Sequence, residues 1–353
     1  MGQALEVLHL PWFALAFGAA FLLTPLVRLV AVAVGFVEAP GDRKIHQRPM
    51  PMGGGVAIFV AFWVTVLAAL PWDPGLLGLL VSSGLLVAVG LVDDAVDLRW
   101  YYKLAGQVLA GLILIAYGVR IEFVTHPLSG ETVYIGTWGV PLTLFWLVAM
   151  ANMINFIDGL DGLAAGVCTI ASVPLFLIAA SLGRWQAAMM TIALAGASAG
   201  FLPHNFNPAR IIMGDTGAMF LGFVLGAISV EGALKGATVL TFVAPILALG
   251  LPIFDTLFAI ARRFANGKPV YKADCDHLHH RLLALGLSQR QSVLILYALS
   301  ALMGAGAILA FGGGYIASVS VLALTLVGAA LFTRRIGGLR GFESTSRGLS
   351  NSR

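Results

Sequence analysis

GLLGLLVSSGLLVAVGLVDDAVDLRW, from Gly75 to Trp100, decides the class of this chain. Residues 75–92 carry no charge, and a helix needs about 20 apolar residues to cross a hydrocarbon core. The run ends on Asp93 and Asp94, with Asp97 shortly after. An apolar helix that delivers carboxylates to its own end suits chemistry at a membrane surface. Three further polar gaps follow long apolar runs in the same way: NMINFIDGLDGL from Asn152 to Leu163, NFNPARIIMGDTG from Asn205 to Gly217, and ADCDHLHHR from Ala273 to Arg281.

The whole composition agrees. With 59% hydrophobic and 11% charged residues and a mean hydropathy of +0.92, there is too little polar surface to cover a soluble globule. The expected fold is all-α and polytopic. Eleven candidate spans run roughly over 10–34, 53–71, 75–92, 104–120, 139–155, 163–181, 186–203, 216–232, 238–260, 291–311 and 315–332. Lys and Arg concentrate in alternate gaps, including Arg43, Lys44, Arg48, Arg99, Lys103, Arg210, Arg262, Arg263, Lys268, Lys272, Arg281 and Arg290, while the opposite gaps hold only Arg120, Arg184 and Lys235. Cytoplasmic loops retain positive charge, so the N-terminus is expected outside and the C-terminus in the cytoplasm, with all four motif gaps facing the cytoplasm.

The first run has no basic residue ahead of it and is too long for a signal-peptide core, so it is expected to be a retained helix. Cys168 lies within the sixth run and Cys275 in a cytoplasmic gap, which argues against a disulfide. The net charge of +4 reflects the positive-inside bias and contact with membrane lipid, and no basic and aromatic pattern for nucleic acid is present. Residues 1–333 are expected to form one integral-membrane domain and residues 334–353 a basic, disordered tail.

Each gap admits a bland and a chemical reading. On a continuing helix Asp97 would approach Asp93 or Asp94, and two carboxylates about 5 Å apart repel by roughly 3 kcal/mol at an effective dielectric near 20. A divalent cation would relieve that repulsion, although a solvated helix end would also carry such acids. Asn152 and Asn155 share a helical face before two Asp-Gly steps, where glycine lets backbone approach a ligand; Asp-Gly is also an ordinary turn signal. Asp215 is either a helix N-cap or a third acid beside Asp93 and Asp94. Mg²⁺ takes one or two carboxylates together with substrate phosphate oxygens, a better match to these acids than zinc to the histidines of DCDHLHHR. His279, His280 and Arg281 can donate to phosphate or sugar oxygens. GDRKIHQRPMPMGGG, from Gly41 to Gly55, adds His46 and Arg48 as donors or as plain positive-inside anchors. Asp255, inside an apolar stretch, must be paired, protonated or near an interface.

Taken together the four gaps resemble the polyprenyl-phosphate N-acetylhexosamine-1-phosphate transferases, in the order and spacing of that family and over nearly the whole chain. The resemblance implies a multi-helix bacterial inner-membrane enzyme with a cytoplasmic active site. It implies transfer of a sugar 1-phosphate from a UDP-sugar to undecaprenyl phosphate with release of UMP. Mg²⁺ is the implied cofactor, with Mn²⁺ as a substitute, and a homodimer the implied assembly. By the same resemblance Asp93 is the base towards the lipid phosphate, and Asp94 and Asp215 hold the metal. Asn155, Asp158, Asp161 and Asn207 line the nucleotide site. Lys103, His279, His280 and Arg281 meet phosphate and sugar. The H-x-H-H-R form of the last loop resembles the UDP-N-acetylglucosamine branch, within cell-envelope polysaccharide or teichoic acid biogenesis, rather than the muramoyl-pentapeptide branch. An aspartyl intermediate remains the alternative to direct attack. An ion-coupled transporter is the alternative of another class, but its acids would be expected near the membrane midplane on interrupted helices.

Overall fold

The computed structural model describes residues 2–39, 48–125, 132–234, 240–267 and 277–335. Among them are thirteen α-helices: α1 (Gly2–Ala33), α2 (Gly55–Ala69), α3 (Pro74–Val96), α4 (Trp100–Ala116), α5 (Gly139–Ile157), α6 (Leu163–Ser181), α7 (Trp185–Asn205), α8 (Gly214–Ser229), α9 (Leu240–Ala248), α10 (Gly250–Ala265), α11 (Leu278–Ala284), α12 (Gln289–Gly312) and α13 (Gly314–Arg335). Two short antiparallel pairs complete it, β1 (Val37–Glu38) with β2 (Met50–Pro51) and β3 (Phe123–Thr125) with β4 (Thr132–Tyr134).

The all-α membrane architecture holds. Among the described residues six segments are long and apolar enough to cross a bilayer: His9–Ala33, Pro74–Val96, Gly136–Ile157, Leu163–Ser181, Trp185–Asn205 and Gln289–Gly312. Of the other expected runs, those at 53–71, 104–120 and 216–232 form helices of 15, 17 and 16 residues, that at 315–332 lies within α13, and one is interrupted. The run at 238–260 is two helices that meet at Leu249, whose backbone leaves the helical region between α9 and α10. The expected tail also starts late, because α13 continues through Arg334 and Arg335; residues beyond it lie outside those described.

α8 is the axis. Of its residues from Gly214 to Ser229, every one but Asp215 is buried, the mark of a helix surrounded by other helices rather than by lipid. Lipid supplies no hydrophobic drive between helices, so close approach depends on small residues. Gly90 of α3 rests on the backbone of Thr216, and Gly222 of α8 rests on Met150 and Ala151 of α5; a methyl group at either glycine would collide with main chain. Phe62 and Phe59 of α2 meet Phe220 edge-on, with ring centroids 5.6 and 5.4 Å away. Packing of this kind brings the ends of α3, α5 and α7 and the starts of α4, α6 and α8 to one end of the bundle.

Candidate active site

α3 stops at Val96 because Asp97 takes a left-handed conformation, φ 53°. The turn leaves Asp97 exposed, so it does not continue the helix towards Asp93 and Asp94 as the spacing suggested. Leu98 N–H donates to Asp93 Oδ1 at 3.0 Å. One turn into α4, Lys103 Nζ pairs with Asp93 Oδ2 at 2.9 Å and also with Asp215 Oδ2.

Asp94 caps α8 from a different helix. Met213, at the N-cap, offers no side-chain acceptor. The amides of Asp215 and Thr216 instead donate to Asp94 at 2.8 and 3.3 Å, and Thr216 Oγ1 donates at 2.6 Å. Helix N-termini leave amides unpaired and carry partial positive charge; a carboxylate satisfies both. Asp215 is therefore not an N-cap: it sits in the first turn, and its Oδ2 also accepts from Asn155 Nδ2 at 2.9 Å.

Carboxylate oxygens of Asp93, Asp94 and Asp215 all lie within 4.8 Å of one another. Ionised, each pair repels by about 3 kcal/mol at an effective dielectric near 20, and the Lys103 ammonium offsets part of this. Three acids and one ammonium leave two negative charges. An all-oxygen donor set with that residual charge fits a hard divalent cation such as Mg²⁺.

α5 supplies the amides. Asn152 and Asn155 share a face as expected, but only Asn155 reaches the acids. Asn152 Nδ2 donates to Gln107 Oε1 at 2.6 Å, and Gln107 Nε2 returns a bond to Asn152 Oδ1 at 3.3 Å. Gln107 is buried, one turn beyond Lys103, so this reciprocal pair fixes the spacing of Lys103 and Asn155 on either side of Asp215. The sequence reading passed over Gln107; its signal was a lone amide in an apolar helix four residues after a lysine.

Beyond Ile157 the chain turns. Gly162 adopts φ +80°, and Asp161 Oδ2 accepts from Asn207 Nδ2 at 3.0 Å and Ala209 N–H at 3.1 Å. Burial first, then the charges of Asp215, Asp94 and Asp161, push the Asp158 carboxyl up to about 8.

Asp255, left without a role by the sequence, is paired. Its carboxylate meets His277 Nδ1 at 2.9 Å and accepts from Leu278 N–H at 2.9 Å, which anchors the start of α11 to α10. His279 stacks parallel to His277 with centroids 5.9 Å apart and lies 4.1 Å from the ring of His280. Buried Arg281 sits over Phe258, 5.3 Å from the ring centre. Burial, reinforced by His280 and His277 against Asp255, lowers His279 to about 3.

Arg48 is exposed just before β2. From there the chain runs along the MGDTG stretch, with Ile212 N–H donating to Pro51 O at 2.8 Å and Gly55 N–H to Met213 O at 3.0 Å. His46 and Cys275 lie outside the described residues.

Residues 76–233 match the sequence profile of glycosyl transferase family 4. The chain is 38% identical over 288 residues to a probable undecaprenyl-phosphate N-acetylglucosaminyl 1-phosphate transferase of Bacillus subtilis (strain 168), covering 81% of this chain and 80% of that one. To the decaprenyl-phosphate N-acetylglucosaminephosphotransferase of Mycolicibacterium smegmatis it is 34% identical over 338 residues, 87% of this chain and 83% of the other. Identity to the undecaprenyl-phosphate alpha-N-acetylglucosaminyl 1-phosphate transferase of Escherichia coli (strain K12) is 25% over 321 residues, 88% of each chain.

Proposed function

The chain belongs to glycosyl transferase family 4, and on that premise we propose that it transfers N-acetylglucosamine 1-phosphate from UDP-N-acetylglucosamine to a polyprenyl phosphate, releasing UMP. The names of its relatives support the donor and the class of acceptor. One observation carries the chemistry: Asp93, Asp94 and Asp215 converge with Lys103 at one end of an apolar bundle, where a soluble nucleotide sugar and a lipid phosphate can meet.

The reaction is a displacement at phosphorus. An oxygen of the lipid phosphate forms a bond to the β-phosphorus, the bond from that phosphorus to the bridging oxygen breaks, and UMP leaves with the electron pair. Asp93 takes the proton when the acceptor arrives as a monoanion; the second pKa of a phosphate monoester lies near about 6, so much of the acceptor arrives without one. Lys103, between Asp93 and Asp215, meets incoming phosphate charge. Asp94 and Asp215 are the residues we assign to Mg²⁺, which when bound stabilises charge developing on the diphosphate. Asn155 holds Asp215 in place. Asp158, with Asn155, Asp161 and Asn207, faces the nucleotide, and His280 meets the sugar and diphosphate with His279 and Arg281 supporting it. Arg48 adds a cation at the rim.

The bias of Lys and Arg towards alternate gaps supports eleven crossings with this site on the cytoplasmic side. Purified protein given UDP-N-acetylglucosamine, undecaprenyl phosphate and Mg²⁺ should release UMP and ignore UDP-muramoyl-pentapeptide. Use of the pentapeptide donor alone would overturn the branch; no UMP from either donor would overturn the transferase.

A further inference from the structure

α12 reaches the turn after α5 once through Asn207 of the α7–α8 loop and once directly. Near its start Gln289 Oε1 accepts from Asn207 Nδ2, the same amide that holds Asp161, and Arg290 Nε donates to Asn207 O at 2.9 Å. Two turns further on, on the same face, Tyr297 Oη donates to Gly162 O at 2.5 Å.

That carbonyl already accepts a bond from Gly166 N–H at 3.0 Å, the first of the α6 ladder, so helix formation does not need the phenol. Gly162 N–H donates to Asn205 Oδ1 at 3.0 Å. Both peptide groups flanking Gly162, the residue with φ +80°, are thus pinned from outside the turn. The phenol ring lies so close to Gly166 that a methyl group there would collide with it. Among the described residues Tyr297 makes no hydrogen bond to Asp93, Asp94 or Asp215; its hydroxyl bears on the 158–162 turn that carries Asp158.

We infer that Tyr297 is a positioning residue for donor binding, acting through the Gly162 carbonyl on the turn that carries Asp158 and Asp161. The inference rests on the assignment of that turn to the nucleotide. It separates donor from acceptor: the turn is tied to α12 and the α7–α8 loop, whereas Lys103 is tied to Asp93 of α3 and Asp215 of α8.

Tyr297→Phe keeps the ring against Gly166 and removes only the hydroxyl. In reconstituted full-length enzyme KM for UDP-N-acetylglucosamine should rise about fivefold, as for the loss of one neutral hydrogen bond. KM for undecaprenyl phosphate, kcat and the melting midpoint should stay at wild-type values. Hydrogen exchange across residues 158–166 should quicken, and calorimetric binding of UDP should weaken by the same factor. Tyr134→Phe, at the opposite end of the bundle, should change nothing. An unchanged donor KM and UDP affinity would overturn the inference, as would an equal rise in both KM values or a loss of kcat with a fall in melting midpoint. If wild type binds UDP but transfers nothing, the transferase assignment fails, while weaker UDP binding by the variant would still uphold Tyr297.

Discussion

Gly159 lies directly against the imidazole of His279: a methyl group on its α-carbon would collide with Nε2. Two loops more than a hundred residues apart in sequence therefore meet without a gap. Asp158, beside Gly159, feels the charges of Asp215 and Asp94, and His279 stacks on His277 with His280 tilted against it, so the contact couples the turn after α5 to the start of α11.

Gly159→Ala should consequently push the two loops apart. A displacement of about 1 Å at a positioned group can cost about a hundredfold in rate, and a loss of that order in kcat/KM is expected. Gly84→Ala, facing only Phe59 at 3.9 Å, should behave as wild type. Full activity in Gly159→Ala would show that the contact can yield without consequence.

His279 gives a pH signature. Its folded pKa of about 3 lies below its ordinary 6.5, so between those values the unfolded chain binds a proton that the folded chain refuses. Stability accordingly rises with pH across this window and is lost as pH falls through it. The melting midpoint should drop between about pH 7 and about pH 5, and His279→Gln should flatten the drop. An equally steep decline in the variant would locate the responsible group elsewhere.

The helices were legible because apolar runs and charged gaps are one-dimensional signals. So was the grouping of Asp93, Asp94 and Asp215, since acids that each follow or open an apolar run are carried by the helices to the same bundle end. What pairs with what was not legible. Asp94 as the cap of α8, Gln107 locked to Asn152 and Asp255 anchoring His277 all depend on which helices become neighbours. Asp97 misled for a local reason: four-residue spacing implies proximity only while the helix continues, and there it ends. The break at Leu249 was hidden because uncharged residues run on across it from Ile246 to Phe254.

Orientation can be read from the two cysteines. Cys168 is fully buried in α6 and should resist reagents, whereas Cys275 falls in a Lys- and Arg-rich gap. A membrane-impermeant maleimide should label inside-out vesicles and spare sealed right-side-out ones, with Cys275→Ser abolishing the signal. Labelling of right-side-out vesicles would reverse the assigned topology.

Asp94 and Asp215 should fail differently when neutralised. Asp215→Asn keeps the α8 amides capped by Asp94 but removes the charge that faces Lys103 and Asn155. It should lower turnover by at least about a hundredfold, as expected for a lost contact of several kcal/mol in the transition state, and raise the Mg²⁺ concentration needed for half-maximal activity, with little change in melting midpoint. Asp94→Asn should lose comparable turnover and also lower the midpoint, because the carboxylate accepts three bonds at the start of α8 and an amide has one oxygen in place of two. Thr216→Val, which removes one of those bonds and no charge, should lower the midpoint by less and leave the Mg²⁺ dependence unchanged. Chelation with EDTA should abolish wild-type turnover and Mg²⁺ restore it. Near-normal activity of both Asn variants at low Mg²⁺ would take these acids out of the mechanism; equal midpoints for the two would show that the α8 cap has no separate structural weight.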